Sequence, residues 1–288
     1  MSATRWSVVI PCRNAEATIE RQLRALYHQD LAEPFEVIVA DNGSTDRSAE
    51  IARSWRGRLP ALRVLAASSP GANAARNVGG RGAAGELLAF CDADDEADPS
   101  WLRALSEGFA EGYDLVGGSL DWTQLNPDLP PSRQRLQVEL SNSLGFLPWA
   151  QSANLAMRRQ VFDQLGGFDE SYSPGCDEVD FQWRAQMAGF RLGATPGAVM
   201  HYATRRNARA TFRQFVSYGR GHVRLYRQFA PHGMTAPPAR AVIGRWWWLA
   251  KHAPLAVRPG EDREAVARRG GLAVGRALAS IRMRTFYL

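Results

Sequence analysis

Lysine is almost missing from this chain of 288 residues: Lys251 is the single one, so 34 of the 35 basic side chains are arginine. A bias that general marks no particular site, and the count is not read as phosphate chemistry. Cysteine is scarce as well. Cys12, Cys91 and Cys176 are widely spaced and odd in number, which excludes a disulfide framework and a CxxC metal site. They predict reduced thiols and a cytoplasmic protein. No apolar run approaches the roughly 20 residues that span a bilayer, and the opening MSATRWSVVIPCRN lacks the apolar core of a signal peptide. No G-x-G-x-x-G follows the first strand-like run, which argues against a dinucleotide-dependent dehydrogenase. Acids are few towards the end. Residues 240–288 hold nine arginines, one lysine and three acids, a net +7, while the whole chain carries +6. Everything before residue 240 therefore sums to −1, and the basic character belongs to the tail.

What is present centres on Leu87-Leu88-Ala89-Phe90-Cys91-Asp92-Ala93-Asp94-Asp95. An apolar run of this kind reads as a buried strand that emerges into three acids. Ligands of open α/β sheets bind outside the carboxyl ends of strands. Asp92 and Asp94 stand two apart, so they share one face of a continuing strand, or a turn brings both to one point. Two hard oxygen donors at one point suit Mg²⁺ or Mn²⁺; as a bland alternative, the acids cap the next helix.

Upstream, Ser7–Ile10 and Phe35–Ala40 read as strands, and Leu62–Ala66 as a third. Helical spacing of Ile19, Leu23 and Leu26, a second helix through Ile51 and a short one from Ala72 to Val78 alternate with them. Strands alternating with helices predict an α/β fold with a mostly parallel sheet flanked by helices. Downstream, Ser100–Gly112 reads as a helix and Tyr113–Gly118 as a strand, with a breaker-rich loop at Asn126–Pro131. Thr211–Phe229 reads as a long helix.

Four segments now occur in order: Val8-Val9-Ile10-Pro11-Cys12-Arg13-Asn14, Val39-Ala40-Asp41-Asn42-Gly43-Ser44-Thr45-Asp46, Gly71-Ala72-Asn73-Ala74-Ala75-Arg76-Asn77 and Phe90-Cys91-Asp92-Ala93-Asp94-Asp95. Together they resemble a family 2 glycosyltransferase with the GT-A fold, a Rossmann-like mixed sheet. The resemblance covers roughly residues 5–225. It implies a GT-A domain over 1–225, with a nucleotide-binding half (1–119) and an acceptor and catalytic half (120–225), followed by a basic helical tail (226–288). It also implies transfer of a sugar from a nucleoside-diphosphate sugar to an acceptor hydroxyl, with inversion and a divalent metal, Mn²⁺ or Mg²⁺. The acceptor class stays open between a glycan, a lipid-linked molecule and a small molecule.

By that resemblance Pro11, Arg13, Asp41, Gly71, Arg76 and Asp92 bind the nucleotide sugar, Asp41 by accepting a hydrogen bond from a base N–H. Asp92, Asp94 and His201, in Val199-Met200-His201-Tyr202, hold the metal. Gly175-Cys176-Asp177-Glu178-Val179-Asp180 resembles the family's catalytic segment with its first two acids exchanged. Aligned on Val179-Asp180-Phe181, Glu178 takes the place of the general base, and Asp177 is the alternative. A carboxylate is needed there because the acceptor hydroxyl loses its proton as it attacks. Asp180 and Arg184 make an i,i+4 pair, which suits a structural role. The exchange also leaves open a non-catalytic nucleotide-sugar-binding module.

The tail carries Trp246-Trp247-Trp248 among Arg240, Arg245 and Lys251. Leu272, Val274, Leu278 and Ile281 alternate with Arg269, Arg276, Arg282 and Arg284. One reading packs the apolar stripe on the protein. The other rests the tail on the inner membrane face as a peripheral contact. Nucleic-acid binding has only charge in its favour and is not expected.

Overall fold

The computed structural model describes residues 5–59, 61–172, 175–204, 207–257 and 261–288. Two compact units divide it. The first comprises Met1–Ser141, Pro148–Glu170 and Glu178–Thr204; the second comprises Asn142–Leu147, Ser171–Asp177 and Arg205–Leu288.

The first unit is a mixed sheet with helices. Strand β1 (Trp6–Cys12) is buried except at Pro11, as expected of a β-branched run hydrogen-bonded on both sides. Its neighbours β2 (Phe35–Asp41) and β4 (Leu87–Phe90) both run parallel to it, and β3 (Leu62–Ala66) continues the parallel set beyond β2. Pro11 lies past Val9, the last β1 residue paired with β4, so no ladder bond is lost on that side. Helices α1 (Ile19–Tyr27), α2 (Ser48–Ser54) and α3 (Ala72–Gly82) follow the first three strands.

Beyond β4 the chain runs through a two-residue strand β5 (Glu96–Ala97), helix α4 (Trp101–Ala110), β6 (Leu115–Asp121), a second two-residue strand β7 (Leu136–Gln137), β8 (Leu155–Arg158), α5 (Arg159–Leu165), α6 (Asp177–Met187) and β9 (Leu192–His201). The sheet order is β3-β2-β1-β4-β8-β6-β9-β5, with β7 paired to β6. Strand β8 runs antiparallel to both β4 and β6, so the sheet is mixed. The chain winds outward from β1 to β3 and returns on β1's other side at β4. The loops after β1 and β4 therefore diverge at a topological switch point, where ligands of such sheets sit.

Buried polar ties hold the irregular half. Asn154, 1% exposed, accepts the Trp101 indole N–H at 2.7 Å and donates to the Ser119 and Ala198 carbonyls at 2.8 Å each, joining α4, β6 and β9. These bonds satisfy a buried amide that would otherwise cost stability.

The second unit is helical: α7 (Ala208–Phe229), α8 (Ala239–His252) and α9 (Glu261–Met283). The Asn207 side chain caps α7 by accepting the Arg209 and Ala210 N–H groups. Helices α7 and α9 touch backbone to backbone. A Cβ on Gly275 would meet the Val216 carbonyl at 2.1 Å, and one on Gly219 would meet that of Leu272 at 2.4 Å. The compact units divide at Thr204/Arg205, so α7 groups with the tail helices, whereas the sequence resemblance set the boundary at 225/226. These glycines bring α7 and α9 into close approach within that unit. Phe146 packs on Phe229, with ring centroids 5.9 Å apart.

Candidate active site

Three parallel strands end level at one edge of the first unit. The register Cys12↔Asp41↔Ala66 aligns the carboxyl ends of β1, β2 and β3, and Val9↔Phe90 brings the end of β4 beside them. Pro11 and Asp41 sit half-buried at these ends, with Arg13 exposed just past β1. Asp41 Oδ1 accepts the Ser44 N–H at 3.2 Å, which closes the turn after β2.

Asn42, next to it, is a residue the sequence reading passed over. Its Nδ2 donates to the Ser69 carbonyl at 2.6 Å and its Oδ1 accepts the Gly71 N–H at 2.7 Å. One buried amide thus fixes the loop that leads into α3. Gly71 holds φ +119°, ψ 151°, a conformation that only glycine adopts without strain. The signal available was an amide placed directly after the strand-ending acid.

Arg76 lies on α3, 6% exposed, and its Nη2 donates to Asp92 Oδ1 at 3.1 Å while Nη1 donates to Asn73 at 3.3 Å. The sequence-expected nucleotide residues Arg76 and Asp92 are therefore a charged pair, with the arginine holding the carboxylate from behind.

Past β4, Asp92, Asp94 and Asp95 each present a carboxylate oxygen, and these atoms lie within 4.8 Å of one another. Asp92 is half-buried, Asp94 exposed and Asp95 fully buried. Asp95 Oδ1 accepts the Ala203 N–H at 2.8 Å, whereas Oδ2 is buried without a hydrogen-bond partner. Burial, then the charges of Asp92 and Asp94, push its carboxyl well above the usual carboxylate range. Arg21 donates to the Asp94 carbonyl and shapes the same turn. An orphaned carboxylate oxygen inside an all-oxygen cluster fits a hard divalent cation. The sequence reading named Asp92 and Asp94 as ligands; Asp95 was in view as the third acid of the run.

His201 is not a member of that group of three. It ends β9, where it is the register partner of Glu96 and of Asp121. Its Nδ1 lies 2.7 Å from Asp121 Oδ2, and its Nε2 lies 3.9 Å from Asp98 Oδ2. Burial acts to raise the Asp121 carboxyl, but the bonds from His201, Thr123 and Gln124 outweigh it and hold the group below the usual range. An ionised Asp121 accepts Nδ1–H and leaves the Nε2 lone pair as the ring's donor site, the arrangement seen when a carboxylate orients a metal-binding histidine. Asp121 was missed from sequence. Its signal is the same as that of Asp41, an acid at the carboxyl end of a strand.

The acids of α6 separate by environment. Asp180 is fully buried and accepts Arg184 Nε at 2.8 Å, and Arg184 also donates to the Leu165 and Gly167 carbonyls. Asp177, 3% exposed, accepts the Gly175 N–H at 3.3 Å. Glu178 is partly exposed on the first turn.

The glycosyl transferase family 2 model matches residues 7–169. Glycosyltransferase AglE of Haloferax volcanii is 31% identical over 225 residues, covering 76% of this chain and 73% of that protein. Succinoglycan biosynthesis protein ExoA of Rhizobium meliloti is 29% identical over 273 residues, covering 90% and 77%. Among solved structures, the mannosyltransferase PcManGT of Pyrobaculum calidifontis, in complex with GDP-Man and Mn²⁺, superposes with a TM-score of 0.67 at 21% identity, covering 96% and 86%. That likeness carries the GT-A fold.

Proposed function

Because the chain belongs to glycosyl transferase family 2, we propose that it moves a sugar from a nucleoside-diphosphate sugar to an acceptor hydroxyl, with inversion, at a divalent-cation site. The transferase class and a role in glycan biosynthesis follow from the family and from relatives such as ExoA. The observation that carries the finer reading is the Asp92, Asp94 and Asp95 trio with its buried, partnerless Asp95 oxygen. Those three carboxylates would hold the cation, and His201 Nε2, its ring oriented by Asp121, would be the further donor. When bound, such a cation neutralises charge building on the leaving diphosphate.

The chain's own residues do the rest. Asp41, level with the ends of β1 and β3, accepts a base N–H of the nucleotide. Gly71, fixed by Asn42, lets the backbone approach the donor closely. Arg76 fixes the orientation of Asp92. Glu178, partly exposed on the first turn of α6 and aligned with the family's general base through Val179-Asp180-Phe181, is the carboxylate to accept the acceptor's proton. As the acceptor oxygen forms its bond to the anomeric carbon, the bond to the diphosphate breaks on the opposite face. The hydroxyl proton passes to Glu178.

Thermal shift over nucleoside diphosphates and their sugars, with Mn²⁺ or with chelator, identifies the donor, because a bound ligand stabilises the fold by mass action. Transfer assays then follow. Glu178→Gln keeps the shape but removes the proton acceptor, and kcat is expected to fall by about 10²-fold or more with donor affinity little changed. Loss of activity in Asp177→Asn with Glu178→Gln intact would reassign the base. Full activity in excess chelator removes the cation from the reaction.

A further inference from the structure

Helix α8 carries large apolar side chains on its outward face as well as on its inward one, unlike an ordinary helix on a protein surface. Such a helix turns its apolar stripe inward and its charges outward. Here the positions turned inward are Val242, Arg245, Trp248, Leu249 and His252, all partly buried. Trp248 stacks on His252 with centroids 4.0 Å apart, and the Arg269 guanidinium of α9 lies 4.0 Å over the same ring. The positions turned outward are Arg240, Ile243, Trp246, Trp247, Ala250 and Lys251, all exposed. Ile243 is 68% and Trp247 65% exposed, and no residue of α8 is buried. Contiguous large apolar side chains left in water mark a surface that something covers.

We propose that this outward face of α8 docks on an anionic lipid surface. The charge pattern selects that occupant. Helix α8 contains no acid, and Arg240 and Lys251 flank the two exposed tryptophans, with Lys251 Nζ 5.4 Å from the Trp247 ring centroid. Tryptophan favours the water–lipid boundary, and basic side chains beside it attract anionic headgroups. A second copy of the same face would bring Arg240 and Lys251 against their like, with no carboxylate on either side. The end of α9 repeats the pattern, with Leu278, Ile281 and Phe286 exposed beside Arg282 and Arg284. No helix among the described residues is long and apolar enough to cross a membrane, so the contact is peripheral. The sequence expectation of a lipid-facing tail thus narrows to particular residues. Trp248 and Arg276 leave it, since Trp248 is stacked and Arg276 is 6% exposed against His222. The inference does not depend on the transfer reaction.

The test uses the full chain with vesicles of phosphatidylcholine alone and of phosphatidylcholine with phosphatidylglycerol, read by co-sedimentation and by tryptophan emission. Binding to the phosphatidylglycerol vesicles at low salt, a blue shift on binding and loss of binding at high salt are expected. Trp246→Ala/Trp247→Ala should remove the blue shift and lower binding at least tenfold. Arg240→Gln/Lys251→Gln should lower the affinity about fivefold per charge and leave the far-ultraviolet circular dichroism unchanged. Absence of binding to anionic vesicles at low salt overturns the proposal. So does equal binding by Trp246→Ala/Trp247→Ala. A concentration-dependent dimer that buries these tryptophans, seen by sedimentation velocity, assigns the face to a second copy instead.

Discussion

Asp95→Asn separates two demands made on the acid cluster. An asparagine Oδ1 keeps the 2.8 Å bond from Ala203 N–H, while the partnerless Oδ2 becomes an NH₂ and the negative charge goes. Ligand oxygens of the three acids lie within 4.8 Å of one another. Two ionised carboxylates at that spacing repel by about 3.5 kcal/mol at an effective dielectric constant of about 20. Asp95 faces two such neighbours and is buried, which is why its carboxyl is pushed well above the usual range. Burial and those two charges favour the neutral form of Asp95 in the metal-free protein. Substitution therefore recovers a fraction of the Coulomb sum, about 1–2 kcal/mol, or a rise in Tm of about 2–8 °C at the scaling for domains of this size. The wild type should gain about 2.7 kcal/mol from Mn²⁺ at a hundredfold excess over its Kd, and the variant should lose most of that gain. Differential scanning fluorimetry with and without Mn²⁺ reads both effects. The expected result is a crossover, with the variant more stable in chelator and less stable in Mn²⁺. A variant that is less stable in chelator yet rises fully with Mn²⁺ would refute the reasoning, because Asp95 would then be a structural acid.

Asp121→Asn removes the carboxylate that fixes His201 Nδ1 at 2.7 Å. If His201 Nε2 joins the cation, Mn²⁺ affinity should fall by about 10–100-fold by isothermal titration with a Tm shift of only a few degrees, and unchanged affinity would free His201 of that role. His222 gives a pH dependence. Burial, then the charges of Arg276 and Arg245, hold its pKa well below 6.5, so below that pH the unfolded chain takes up a proton that the native state refuses. Stability should therefore fall as pH drops through 6.5 towards the folded value, by about 1.4 kcal/mol per unit, and be complete above it. The pH slope of Tm between 7.5 and 5.0 should flatten in His222→Asn, which keeps an acceptor for Arg276; an identical slope would place the acid lability elsewhere.

The parallel half of this fold was legible because its signals are local. Buried strands such as Leu87–Phe90 are continuous apolar runs, and β2 and the turn after β4 reach acids where the backbone leaves the sheet. Asp41 and Asp92 stood out for that reason. The same grammar named α4 and α7 nearly to their observed bounds. It did not separate β8 from the segment around Asn154, since a four-residue strand with three successive buried positions has no periodicity to read. Other features depend on residues that meet only after folding. Asp121 reaches His201 across 80 positions, and Asn42 pins Gly71 across 29. Gly219 and Gly275 let α7 lie backbone to backbone against α9, a contact between positions 56 apart. The surroundings of the acids of α6 were likewise not legible in sequence: Asp177 accepts from Gly175 N–H and Asp180 from Arg184. The class of chemistry was legible through the resemblance of four ordered motifs, three at the ends of β1, β2 and β4 and one at the start of α3. Which carboxylate is buried, which is paired and which face of α8 meets solvent were decided by tertiary packing, because desolvation and pairing are properties of neighbours brought together from distant parts of the chain.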